Sequence, residues 1–275
     1  MVADGIEQAF IDIDGLQTFY LKGGDGDPVV MIHGGSPGTC STLNWKHNMG
    51  PFAEAGFAAY AFDQPGFGRT AVPADHSMEY RVSHALAFIE ALGLKRFHLM
   101  GNSMGAYIAA RIALAHPDKT GRLVLISSTT LAPKGSPAAQ ALADKHNTEL
   151  RGYEPSLENM RQMSAGTFFN SELVTEEFVR ERYEMSKGPL YDAMVARQKV
   201  AGARSVVGDL DKLTMETLIL WGADDRGAAL ERAVLLFEAL PKAELHVFSR
   251  CAHWVHWDQA ARVNKMVTDF LARPE

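Results

Sequence analysis

The chain has 275 residues, 47% of them apolar and 22% charged, enough to bury one large core as a single domain that carries an insertion. A formal net charge of −6 and the lack of any long Lys/Arg run leave no electrostatic footprint for nucleic acid or an anionic membrane, so neither is expected as a partner. The opening stretch MVADGIEQAF has no basic region followed by an apolar one, and no apolar run approaches the roughly 20 residues that span a bilayer, so the expected location is the cytoplasm.

In chain order, QAFIDI and QTFYLK read as two strands joined through Asp14-Gly15, a dipeptide suited to a tight hairpin. Short apolar runs follow: PVVMIH, FAAYAFD, RFHLMGN, RLVLISS, TLILWGA and ELHVFSR. They alternate with helical stretches such as YRVSHALAFIEALGL, whose apolar residues recur every three or four positions. Such alternation implies a mostly parallel sheet covered by helices on both faces, an α/β architecture. The rhythm stops over residues 133–208, a segment of helix formers that includes Met185 and Met194, and resumes at TLILWG. This segment is expected to form a helical cap, with residues 1–132 and 209–275 forming the core. Cys40 and Cys251 lie far apart, in no CxxC pattern, and read as plain thiols.

In open α/β sheets, ligands bind beyond the carboxyl ends of the strands, and four groups of residues fall at such ends. Gly101-Asn102-Ser103-Met104-Gly105 is a G-x-S-x-G at a strand-to-helix corner, the setting that exposes a nucleophilic hydroxyl. WGADDRGA offers a carboxylate and SRCAHWVHWD an imidazole. A serine hydroxyl needs an imidazole to take its proton, and the imidazole needs a carboxylate to hold its tautomer. Asp225 lies deeper in its loop than Asp224, and His253 follows its strand more closely than His256, so Ser103, Asp225 and His253 are the candidate triad. Asp224 reads as a solvated or loop-capping acid, and a His253/His256 metal pair lacks a third ligand. In VVMIHGGSPG, glycines let backbone N–H groups approach a developing oxyanion, and Gly35 with Met104 are the candidate donors.

With these groups in this order, the whole chain resembles the α/β-hydrolase fold. HGGSPG, GNSMGA, WGADDR and FSRCAHWVHWD together resemble the meta-cleavage product hydrolases, which cleave a carbon–carbon bond in 2-hydroxy-6-oxo-hexa-2,4-dienoates. The resemblance implies a triad of Ser103, Asp225 and His253, an oxyanion hole of Gly35 and Met104, and a dienoate site around Gly34, Asn44, Asn102 and Trp254. It also implies that Arg182 in TEEFVRERYE meets the substrate carboxylate, where the residues alone equally allow a surface arginine paired with Glu181 or Glu184. The 6-phenyl dienoate is the expected type of substrate, giving benzoate. MSAGTFF could line an apolar pocket for its ring or simply fill core. No metal or organic cofactor is implied, and a homo-oligomer, a dimer or larger, is. The pattern departs from the family at Ala106, Ser36 and Ala252, and at DDRGAALE, where relatives tend to carry a bulkier apolar residue and a proline. An ordinary carboxylic ester hydrolase with the same triad is the competing expectation.

Overall fold

The computed structural model describes residues 5–200 and 202–274. Strands β1 (Ile6–Ile13) and β2 (Leu16–Gly23) form a hairpin whose turn, Asp14-Gly15, holds both residues at positive φ, 52° and 82°. That conformation matches the right-handed twist of the ribbon. Strands β3 (Asp27–Ile32), β4 (Phe57–Phe62), β5 (Phe97–Asn102), β6 (Thr120–Ile126), β7 (Thr217–Gly222) and β8 (Ala243–Phe248) run parallel to one another. The sheet order is β1-β2-β4-β3-β5-β6-β7-β8, with β2 antiparallel to β4.

The parallel strands are connected through helices. Between β3 and β4 lie α1 (Ser41–Asn44) and α2 (Met49–Glu54), followed after β4 by α3 (Met78–Ala91) and after β5 by α4 (Met104–Ala115). Between β6 and β7 lie α5 (Pro137–Arg151), α6 (Leu157–Thr167), α7 (Glu176–Glu184) and α8 (Pro189–Gln198), with no strand among the described residues. Helix α9 (Leu230–Ala239) precedes β8, and α10 (Val255–Asp258) and α11 (Ala260–Leu271) follow it. No helix among the described residues is long and apolar enough to cross a membrane.

The period of two along each strand divides the core into two layers. Val30, Ile32, Leu99, Leu123 and Ile219 pack against α3, α4 and α9, while Val29, Met31, Met100, Val124 and Leu218 pack against α2 and α11. On α11 the buried residues Val263, Val267, Phe270 and Leu271 recur at helical spacing, so one face is core and the other, with Arg262 and Lys265, is solvent.

Helices α5, α6 and α7 start at Ser136, Ser156 and Thr175, whose hydroxyls accept from the backbone N–H three residues on. The segment has a small core of its own, Tyr153, Met160, Val179 and Met194. It meets the sheet domain through a second apolar cluster in which Phe168 and Phe178 touch Cys40, Leu43, Trp254 and Trp257.

A Cβ at Gly105 would lie 2.0 Å from the Ile32 carbonyl oxygen, so α4 approaches β3 this closely only because the residue has no side chain. Gly105→Val is expected to lower the unfolding free energy by about 3 kcal/mol. Urea titration followed by circular dichroism would measure it, and an unchanged midpoint would show that this packing is dispensable.

Candidate active site

Strand β5 ends at Asn102 and α4 begins at Met104, which leaves Ser103 alone to make the corner. Its φ is +54° and ψ −116°, a combination that costs a side-chain-bearing residue about 1–3 kcal/mol. The corner is held by a hydrogen bond from the Ser103 N–H to the Ile126 carbonyl, 2.8 Å, and by the close fit of Gly105 on β3. The Ser103 side chain is thereby presented to a cavity of about 250 Å³ that it shares with Gly34, Gly35, Met104, His146 and His253.

Asp225 and His253 come from the loops after β7 and β8. Their side chains meet at 2.8 Å, Nδ1 to Oδ2, with the Asp225 side chain 1% exposed and that of His253 15% exposed. The other Asp225 oxygen accepts from the N–H groups of Gly227 and Ala228, at 2.8 and 2.9 Å, so the carboxylate is held on both sides. Burial opposes charge on the His253 ring, but the Asp225 carboxylate outweighs it and holds the ring above the ordinary imidazole value. Burial likewise opposes charge on Asp225, and His253 with the two N–H groups outweighs it in turn, keeping this carboxyl below the usual range. Asp224 is exposed and accepts from the Cys251 N–H, tying the two loops together. His256 is fully buried on α10 between Trp45 and Trp254.

The loop after β3 faces Ser103. Neither the Gly35 nor the Met104 N–H donates to another described residue, which leaves both free for an oxyanion. His33, quoted with this loop but given no role from sequence, holds it in place. Its Nδ1 lies 2.7 Å from the Gly34 carbonyl, and its Nε2 accepts from the Gln64 N–H at 3.0 Å. Burial pushes the His33 pKa down to about 4, so the ring stays neutral and can keep both bonds.

A second, larger cavity of about 820 Å³ adjoins the first and shares Ser36, His146, Leu150, Gly227 and His253 with it. Arg182 lines this larger space and is 0% exposed. Its guanidinium donates to the Pro37 carbonyl and to the hydroxyls of Ser36, Ser164 and Thr167, at 3.0–3.3 Å, and to no carboxylate among the described residues. Burial lowers its pKa to about 10, which still leaves it charged at neutral pH. Neither Glu181 nor Glu184 pairs with it, so the surface arginine allowed by the sequence is excluded. Trp254 is buried in the apolar seam, lines the smaller cavity and lies 5.5 Å from the Arg182 guanidinium. Asn102 lines the same cavity, whereas Asn44 sits behind it, 3.5 Å away, and reaches neither space. Of MSAGTFF, Met163 faces the larger cavity, while Phe168 goes into the seam and Phe169 lies on the surface beside Arg250.

The sequence pattern of the alpha/beta hydrolase fold family matches residues 27–260. The 2-hydroxy-6-oxo-6-phenylhexa-2,4-dienoate hydrolase of Burkholderia cepacia is 34% identical, over 98% of both chains. The 2-hydroxy-6-oxononadienedioate/2-hydroxy-6-oxononatrienedioate hydrolase of Comamonas testosteroni is 33% identical, over 95% of this chain and 94% of its own. The solved meta-cleavage product hydrolase of Pseudomonas fluorescens IP01 superposes with a TM-score of 0.84 at 30% identity, covering 95% of this chain and 96% of that one. The chain belongs to the meta-cleavage product hydrolase family.

In this member of the family, sequence reasoning missed His146, which reaches the site from α5 and packs against His253 with ring centroids 5.9 Å apart. Only the bare Gly227 in DDRGAALE hinted that something else would occupy that space.

The Asp225/His253 pair links charge to stability at both ends of the pH scale. The raised His253 contributes stability that is complete below its ordinary value of 6.5 and fades as pH rises through the folded value. The lowered Asp225 contributes stability present above 3.8 and lost as pH falls through the folded value. Asp225→Asn removes the attraction and leaves the burial, so the His253 pKa is expected to drop below 6.5. NMR titration of the ring would show this, and an unmoved midpoint would mean that the carboxylate does not hold the proton.

Proposed function

We propose that the protein hydrolyses the C5–C6 bond of a 2-hydroxy-6-oxo-hexa-2,4-dienoate, with the 6-phenyl compound as the reference substrate. The observation that carries this reading is the Arg182 guanidinium, buried beside the candidate triad with only neutral acceptors around it. A charge buried without a counter-ion is costly unless a ligand supplies one, and the one guanidinium N–H not committed to those acceptors, on Nη2, is left to donate to a carboxylate. Simple esters have no such carboxylate. The named activities of the relatives point the same way, since both act on 2-hydroxy-6-oxo dienoates.

The substrate carboxylate is placed on Arg182 in the larger cavity and the C6 carbonyl above Ser103 in the smaller one. The dienol cannot expel a vinyl carbanion, so it first becomes a ketone: the 2-hydroxyl proton leaves as C2=O forms, the C2–C3 double bond shifts to C3–C4, and the C4–C5 electron pair takes a proton at C5. His253 lines both cavities and is the base that moves this proton. Ser103 then attacks C6 as His253 takes its proton, and the oxyanion accepts from the Gly35 and Met104 N–H groups, each such donor being worth about 10²–10³ in rate. The C5–C6 bond breaks with its electron pair drawn towards the C2 oxygen, and His253 returns the proton to release 2-hydroxypenta-2,4-dienoate. Water activated by His253 clears the acyl-enzyme, giving benzoate from the phenyl compound.

Stopped-flow absorbance with the 6-phenyl dienoate tests this. Wild type is expected to bleach the yellow dienolate quickly, and Ser103→Ala to bind it and change its spectrum without releasing benzoate. Arg182→Leu is expected to lose about 100-fold or more in kcat/KM on the dienoate, while hydrolysis of a nitrophenyl ester changes only a few-fold. Brisk ester hydrolysis with no dienoate turnover by wild type would overturn the reading in favour of an ester hydrolase.

A further inference from the structure

His146 is a half-buried cap residue on α5 that lines both cavities, the smaller one together with Ser103, Gly227 and His253. It occupies room that the catalytic loop leaves free. A Cβ placed on Gly227 would lie 2.6 Å from two ring carbons of His146, so any larger residue there would force the imidazole out. The loop that holds Asp225 thus surrenders its own side chain at this point and takes a histidine from the cap instead.

The chemistry of that replacement is specific. Neither ring nitrogen of His146 is hydrogen-bonded to another described residue, although the ring is packed against His253. Burial pushes its pKa down to about 4, so at neutral pH it offers one donor and one acceptor and no charge. Beyond Ser103 the smaller cavity is bounded by Thr129, Thr130 and Asn147 as well as Leu150 and Ala203, and no lysine or arginine lines it. A charged substituent would be desolvated there without a counter-ion. The aromatic pair Phe168 and Phe169 that could have made an apolar pocket points elsewhere.

We propose that His146, seated in the space that Gly227 leaves open, is a specificity-determining residue that hydrogen-bonds an uncharged, oxygen-bearing substituent on C6 of the substrate. The assignment rests on the dienoate hydrolase reading above. It predicts that the enzyme distinguishes substrates of one shape by whether the C6 group carries a hydroxyl.

Two matched pairs of dienoates test it: 6-ethyl against 6-hydroxymethyl, and 6-phenyl against 6-(2-hydroxyphenyl). In each pair wild type is expected to favour the hydroxylated member by about tenfold in kcat/KM, the worth of one buried hydrogen bond. His146→Ala, and independently Gly227→Val, which expels the ring, are each expected to bring both ratios within about twofold. His146→Gln keeps a donor and an acceptor and is expected to restore part of the preference. Wild-type ratios near one, or ratios that His146→Ala leaves as they were, would overturn the assignment while the hydrolase reading stands. Failure of wild type to cleave any of the four compounds would overturn both.

Discussion

A guanidinium closed off from water with no carboxylate beside it is the constraint around which this molecule is arranged. Arg182 comes from α7, two of its acceptors from α6, and the other two from the loop after β3. Its charge therefore sits where cap and sheet domain meet. The Thr167 hydroxyl accepts from Arg182 while its carbonyl accepts from the His253 N–H, so the arginine and the loop that carries His253 are tied to one residue. Neutral acceptors orient the guanidinium but do not cancel its charge, and that asymmetry is what the proposed carboxylate would answer.

The rest of the site follows from the sheet. A parallel sheet delivers the ends of β3, β5, β7 and β8 to one edge: the first carries the Gly35 N–H, the second Ser103 and the Met104 N–H, the third a carboxylate and the fourth an imidazole. The serine corner is strained, and close packing of Gly105 on β3 opposes its relaxation. His253 is pulled two ways, by burial towards neutrality and by Asp225 towards charge, which suits the proposed role of accepting and returning a proton.

Much of this was legible in the sequence because it depends on local rules. The hairpin at Asp14-Gly15, the apolar runs of the strands and the glycines around Ser103 are each dictated by backbone geometry or a period of two. The choice of Asp225 over Asp224 rested on loop depth, and the structure puts only Asp225 against His253. What could not be read depends on contacts between distant segments. The state of Arg182 turns on which way α7 faces, since a helix with Glu181 and Glu184 beside an arginine looks the same in sequence whether that arginine is solvated or buried. Asn44 has the right identity and neighbourhood, yet Asn102 stands between it and the cavities. His146 lies 81 residues before Gly227 in the chain, and no local pattern joins a cap histidine to a missing side chain in another loop.

The proposed chemistry requires substrate to bind with its carboxylate on Arg182 and its C6 carbonyl over Ser103. The most direct test is a crystal structure of Ser103→Ala with the 6-phenyl dienoate bound. The account predicts a carboxylate oxygen within hydrogen-bond distance of Arg182 Nη2, and the C6 oxygen directed at the Gly35 and Met104 N–H groups. A dienoate whose carboxylate lies away from Arg182, or whose C6 carbonyl lies out of reach of residue 103, would contradict it.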